Sequence, residues 1–282
     1  MVHRDYIDKG RVDVEAYFDA WDKGYMYGHG HYLGFLNALY LAKLAGVRLY
    51  VLHLGQLLTR AYDDIRRAKR EGQVVYAEAE AKTILYSREE SLAWAPRTTG
   101  HAPQADEGFR AIKDGTTDVL VLEHAPHNVE ELMRGKEDMF SCPLGNLGAQ
   151  EFLPMMLTTV NQGKITLEQL IKVTSENPAR IFGHYPQKGA IKIGSDADLT
   201  IIDMNRKGVF KVEDSYSRTG WTHEGREYWG APTHTIIRGN IVMEEGKVLA
   251  KPGDGKFHSG RPVEVEMDRS QVLGNFNRCL HK

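Results

Sequence analysis

Arg48-Leu49-Tyr50-Val51-Leu52-His53-Leu54, closed by Gly55, is the stretch whose reading decides the fold. A continuous apolar run of this length fits a strand, and apolar side chains on both of its faces place it in a parallel sheet covered on both sides. Upstream, Tyr32 to Ala45 repeats Leu33, Leu36, Leu39, Leu41 and Leu44 with little polar face, which predicts a well-buried helix stopped by Gly46. Downstream, Leu57 to Glu71 predicts a helix charged along one side by Arg60, Asp63, Asp64, Arg66, Arg67, Lys69 and Arg70. Gly72 ends it, and Gln73 to Ala77 predicts the next strand. Strand, crossover helix and parallel strand form a βαβ unit, the building block of a wound α/β sheet or barrel.

Working outward, Val14 to Trp21 carries helical spacing, Ala105 to Lys113 predicts a short helix, and Asp118 to Glu123 predicts a further buried strand with polar residues at its end. From Asn128 to Phe182 the chain reads as mostly helical. Thr166 caps a helix from Leu167 to Thr174, and Asn177-Pro178 opens another that Gly183 ends. The texture changes at Lys188. Gly189 to Ile193, the turn Gly194 to Asp198, and Leu199 to Asp203 read as short antiparallel strands. Thr235 to Arg238, the turn Gly239-Asn240, and Ile241 to Met243 read as a second hairpin. The expected organisation is an α/β portion over residues 1–185, a small β subdomain over 186–250, and a Gly- and Pro-rich tail over 251–282 that wraps the surface or a neighbouring subunit.

The chain has 282 residues, 41% hydrophobic and 26% charged, enough for a sizeable core and typical of a globular enzyme. Its 36 basic and 38 acidic residues nearly cancel, which argues against a dominant nucleic-acid surface. Two distant cysteines, Cys142 and Cys279, suit a reducing compartment. The charged start Met1 to Tyr6 lacks the apolar segment of a signal peptide, and no apolar run nears the ~18 residues of a membrane span. A cytoplasmic protein with no membrane and no nucleic-acid partner is the expectation.

Ligands in a βα architecture bind where the strands end. Two predicted strands end in ionisable residues, His53 in one and Glu123-His124 in the other. His3 is a third such residue if the chain starts inside a strand. Imidazoles and a carboxylate from separate strand ends form a divalent-metal site with open positions, whereas the plainer reading makes His53 a hydrogen-bonded core residue and Glu123 a helix cap. His29-Gly30-His31 has the spacing that puts two imidazoles on one side of a strand, or else marks a turn. Glu123-His124-Ala125-Pro126-His127 gathers three titratable side chains around a proline, which favours a functional loop. Gly145-Asn146-Leu147-Gly148 is a flexible turn without the Lys-Ser/Thr that a phosphate cradle needs.

The run Asp114 to His127 resembles the last-strand motif of the cyclic amidohydrolases, the group of dihydroorotases, allantoinases, dihydropyrimidinases and hydantoinases. Glu176 to Gly183, Lys188 to Leu199, and Arg238-Gly239-Asn240 with Gly246-Lys247-Val248 are also similar to that family, most of all to its hydantoinase and dihydropyrimidinase branch. The resemblance implies part of a (β/α)8 TIM-type barrel with a small C-terminal β-sandwich subdomain. It implies a two-metal centre, zinc or a similar divalent ion, whose hydroxide attacks the carbonyl of a small cyclic amide while a last-strand carboxylate carries the proton to the leaving nitrogen. Carried over by position, His3 and His53 are metal histidines. Glu123 takes the place of the catalytic, metal-binding aspartate, and His127, Leu144 and Gly145 fall in the substrate loop. Several positions depart from the pattern. The chain begins where the family's fifth strand ends, so the first-strand HxH pair and the fourth-strand carboxylated lysine have no counterpart. Glu123 is one methylene longer than aspartate, Leu144 stands where an asparagine is usual, and Gln150 where a glutamate is common. Two functions are therefore expected to compete: a metal-dependent cyclic-amide hydrolase completed by a homo-oligomer or a partner chain, and a catalytically silent homologue serving as a scaffold.

Overall fold

The computed structural model describes residues 2–22, 28–57, 59–96, 105–143, 145, 148–217 and 223–263. Its helices are α1 (Val2–Ile7), α2 (Val14–Asp22), α3 (Gly28–Ala45), α4 (Arg60–Arg70), α5 (Ala81–Leu85), α6 (Arg88–Trp94), α7 (Ala105–Lys113), α8 (Val129–Met133), α9 (Phe152–Asn161), α10 (Leu167–Ile171) and α11 (Asn177–Ile181). Its strands are β1 (Leu49–Val51), β2 (Val75–Glu80), β3 (Val119–Val121), β4 (Leu199–Val209), β5 (Glu227–Ile237), β6 (Asn240–Glu244) and β7 (Lys247–Val248). The chain divides into two compact units, Met1–Asn146 and Leu147–Glu264, ahead of the change in texture near residue 185. None of the described helices is long and apolar enough to cross a membrane.

In the first unit β1, β2 and β3 form a parallel sheet in that order. The βαβ expectation therefore holds: α4 crosses between β1 and β2, and α7 precedes β3. Strand periodicity sorts the side chains. Leu49 pairs with Val75 and Val51 with Ala77, and these residues pack into one core with Tyr32, Phe35 and Leu39 of α3 and Tyr62 and Ile65 of α4. The opposite face takes Tyr50 and Tyr76, then Glu78 and Glu80 in register with Val119 and Val121. This face is polar where the sheet ends.

Two expectations change here. The strand predicted to stop at Ala77 runs on to Glu80. Helix α3 buries only one face. Tyr32, Phe35 and Leu39 are under 9% exposed, but Leu33 and Leu41 are both 61% exposed, so the helix presents a second apolar side to its surroundings. His29 and His31 sit in its first turn rather than on a strand. Cys142 is a buried free thiol held up in its titration by burial, and Cys279 lies outside the described residues.

The second unit holds an antiparallel sheet in the order β4-β5-β6-β7. Helix α9 docks on β5, where Asn161 Nδ2 donates to the carbonyls of Met204 and Trp229 at 2.9 Å each and the Trp229 amide donates to Thr158 Oγ1 at 2.8 Å. The β5–β6 hairpin turns at Arg238 and Gly239, both with positive φ (49° and 80°), as a two-residue primed turn requires. Thr166 forms a reciprocal cap with Gln169 at the start of α10. The predicted strand over Gly189–Ile193 is a loop instead, with Ile191 89% exposed. Its groups are tied by side chains rather than by a ladder: Lys188 pairs with Asp196 at 2.7 Å and with Asp198, and Ser195 Oγ donates to the Pro186 carbonyl at 2.6 Å. The tail, as far as residue 263, lies against this unit. The Arg261 amide donates to the Gly183 carbonyl at 2.8 Å, and His184 and His258 share a hydrogen bond between their Nδ1 atoms at 2.9 Å.

Burial works against ionisation of Asp198, but the Lys188 ammonium and the Arg238 amide outweigh it and hold the carboxyl below its usual range. A depressed native pKa adds stability above the unfolded value near 4, and that contribution vanishes as the pH falls through the native value. Asp198→Asn is therefore expected to lower unfolding stability at pH 6–7 and to match the parent at pH 2, measured by urea titration. Equal stabilities at neutral pH would contradict this.

Candidate metal and catalytic site

Two strand ends build the site by the same backbone device. His53 lies two residues past β1 and Glu123 two residues past β3, and each has a left-handed backbone, with φ of 53° and 55°. A non-glycine residue in that region costs about 1–2 kcal/mol, so two such residues at the ends of the strands flanking β2 mark strain held where side chains must point to one place. Between them β2 contributes Glu80 at its last position, fully buried, and Glu78 on the same face.

The result is a convergence of one imidazole and two carboxylates. Ligand atoms of His53, Glu80 and Glu123 all lie within 4.8 Å of one another. His53 Nδ1 stands 3.2 Å from Glu123 Oε1, and its Nε2 3.7 Å from Glu78 Oε1. Tyr50 donates its hydroxyl to Glu78 Oε2 at 2.8 Å. Burial, followed by that bond to Glu78, pushes the Tyr50 phenol far up. Burial and the charge of Glu80 do the same to Tyr62. Lys82, the second residue of α5, ion-pairs with Glu123 Oε2, and its side chain is only 9% exposed.

Donor chemistry fits a divalent cation. Two donors on one zinc ion lie at most about 4.2 Å apart given bond lengths near 2.1 Å, so small side-chain movements close a 4.8 Å spread. Three carboxyl groups gathered beside one ammonium make an oxygen-rich donor set, and a buried carboxylate calls for a positive partner.

Of the residues singled out in the sequence, His53 and Glu123 are brought together. His3 lies on α1, a helix rather than a strand, and its side chain falls outside the described residues, as does Leu144. His124 is exposed, and His127 Nδ1 turns to Glu131 Oε2 at 3.4 Å. Gly145 packs on the same loop so closely that a Cβ there would stand 2.1 Å from the Ala125 carbonyl oxygen. His31 faces a groove of about 440 Å³ shared with Tyr50 and His53, and burial followed by the proximity of His53 lowers its imidazole titration. Gln150 sits in the second unit, donating to the Asp214 carbonyl at 2.8 Å and accepting from the Tyr216 amide at 3.0 Å. A glutamate there would lose the donor. Glu78, Glu80 and Lys82 went unread in the sequence, although the alternation Tyr76, Glu78, Glu80 signals a strand with a charged face.

The pattern that defines the amidohydrolase family matches residues 27–242. The chain belongs to the amidohydrolase family. It is 36% identical to an L-hydantoinase of Paenarthrobacter aurescens over 81% of its own length and 51% of that protein's. To a dihydroorotase of Methanosphaera stadtmanae it is 34% identical, over 70% of its length and 46% of that protein's. The solved L-hydantoinase (dihydropyrimidinase) from Arthrobacter aurescens superposes with a TM-score of 0.83 at 31% identity, covering 91% of this chain and 57% of that one. The chain thus spans about half the length of these curated amidohydrolase relatives.

Glu80→Gln keeps the side-chain volume and replaces one of three neighbouring carboxyl groups by an amide. It is expected to raise the melting temperature of the metal-free chain by about 2–4 °C, the shift that 1 kcal/mol produces at this size. A fall in melting temperature would show that the Glu80 carboxylate is a net stabiliser without a cation.

Proposed function

We propose that this chain is the later-strand portion of a (β/α)8 amidohydrolase barrel and takes part in metal-dependent hydrolysis of the C–N bond of a small cyclic amide of the hydantoin or dihydropyrimidine type. The observation that carries this reading is the convergence of His53, Glu80 and Glu123 at the ends of neighbouring parallel strands. These residues, together with His3 on α1 by the family resemblance, are assigned to a divalent cation, zinc by donor type. When bound, such a cation polarises the ring carbonyl and favours ionisation of water.

The chain's own residues do the rest. Glu123, whose carboxylate is addressed on one oxygen by His53 and on the other by Lys82, takes the proton of the attacking water and delivers it to the leaving ring nitrogen. His127 and Gly145, with Leu144 by its place in the sequence, are assigned to seating the ring, and Gly145 keeps the backbone close to Ala125. Among the described residues β1 and β3 are the edges of the sheet, and such parallel edges call for further strands, supplied by more polypeptide, by a second copy or by a partner chain.

A second reading, a catalytically silent homologue acting as a scaffold, is favoured by one observation: the Lys82 ammonium holds the carboxylate that must move the proton. Cobalt(II) titration followed by visible absorption, with hydantoin and dihydroorotate ring opening assayed in parallel, separates the two. The hydrolase reading expects a ligand-field spectrum that His53→Ala abolishes, together with ring opening that Glu123→Gln lowers by at least about 100-fold. A bound cobalt ion without ring opening supports the silent reading for the chain as it stands, and no spectrum at all contradicts the metal site.

A further inference from the structure

We propose that Lys82 is a resident cation that competes with the metal, so that loading the site requires its ammonium to leave Glu123. This rests on the cation site proposed above. Lys82 stands where lysines are seldom found: its side chain is 9% exposed, and it sits two residues past the buried end of β2. It ion-pairs with Glu123 across 41 residues of sequence, on the Oε2 oxygen, while Oε1 faces His53 Nδ1 at 3.2 Å. Both oxygens of a carboxylate within the donor cluster are thus addressed from inside the protein.

Charge then decides the outcome. With Lys82 in place, the Glu123 carboxylate is neutralised by a side chain that the protein largely encloses. A divalent cation bound by Glu123 would face this ammonium at close range, and like charges a few ångströms apart in poorly solvated surroundings repel strongly. Lys82 therefore steadies the empty site and weakens the loaded one. It is a positioning residue rather than a catalytic one, and it sets the concentration of free cation at which the site fills.

Isothermal titration of the full chain with zinc chloride tests this, with Lys82→Met, Lys82→Gln and Lys82→Arg beside the parent and thermal melts confirming that each variant is folded. Lys82→Met and Lys82→Gln are expected to bind zinc at least about tenfold more tightly than the parent, and Lys82→Arg, which keeps the charge, to stay near the parent value. The metal-free Lys82→Met chain is expected to melt lower than the parent, because its carboxylates lose their counter-charge. Tightening in the neutral variants, including the case where only they bind, supports the proposal. Equal or weaker binding by a neutral variant overturns it while leaving the cation site standing, and absence of binding in every form overturns the site and the competition together. If Lys82→Met fails to fold, the Lys82→Gln and Lys82→Arg pair carries the same comparison.

Discussion

Mutual repulsion among carboxylates gathered on one sheet face is the constraint on which the rest of the site depends. Glu78 and Glu80 share a face of β2 because a strand alternates its side chains, and Glu123 reaches the same place from the end of β3. Such an arrangement is unfavourable unless a positive charge enters it. The chain supplies Lys82 as an internal answer at Glu123, and the remaining carboxyl oxygens are donors suited to a divalent ion. Sites built for binding commonly sacrifice stability in this way.

The architecture around the site is what makes that concentration of charge tolerable. Behind the polar face lies a dense apolar layer, where Val51, Val75 and Ala77 meet Tyr62 and Ile65 of α4 and Phe35 and Leu39 of α3. That layer fixes the strands in register, and the strands fix the direction of the side chains at their ends. Left-handed backbone at both His53 and Glu123 then bends each chain over the end of the sheet. The strain is repeated at two strand ends and nowhere else on this sheet among the described residues, which ties it to the place where the donors meet.

Much of this was legible in the residues. The apolar run at Arg48–Leu54, the amphipathic helix behind it and the punctuation by Gly46, Gly55 and Gly72 sufficed for a parallel βαβ unit, and the Thr166 cap and the second hairpin followed from local chemistry, although that hairpin turns at Arg238-Gly239, one residue ahead of the expected Gly239-Asn240. His53 and Glu123 were visible as strand-end residues. Glu80 was not, because the apolar signal of β2 fades after Ala77 while the ladder to β3 runs on at Glu78–Glu80. Pairing with a neighbour, not local propensity, extends that strand. Ile191 and Ile193 misled in the opposite direction: their alternation mimics a strand, but ion pairs from Lys188 to Asp196 and Asp198 close the segment as a loop. Lys82 could be placed only in three dimensions, since its partner is 41 residues away.

Whether these side chains hold a cation is best decided by crystallography of the chain grown with zinc, using anomalous differences recorded on either side of the zinc absorption edge. The account predicts an anomalous peak within bonding distance of His53, Glu80 and Glu123, with the Lys82 ammonium displaced from Glu123. A zinc-saturated crystal with no peak between those three side chains, or with the ion elsewhere and the Lys82–Glu123 pair intact, would contradict it.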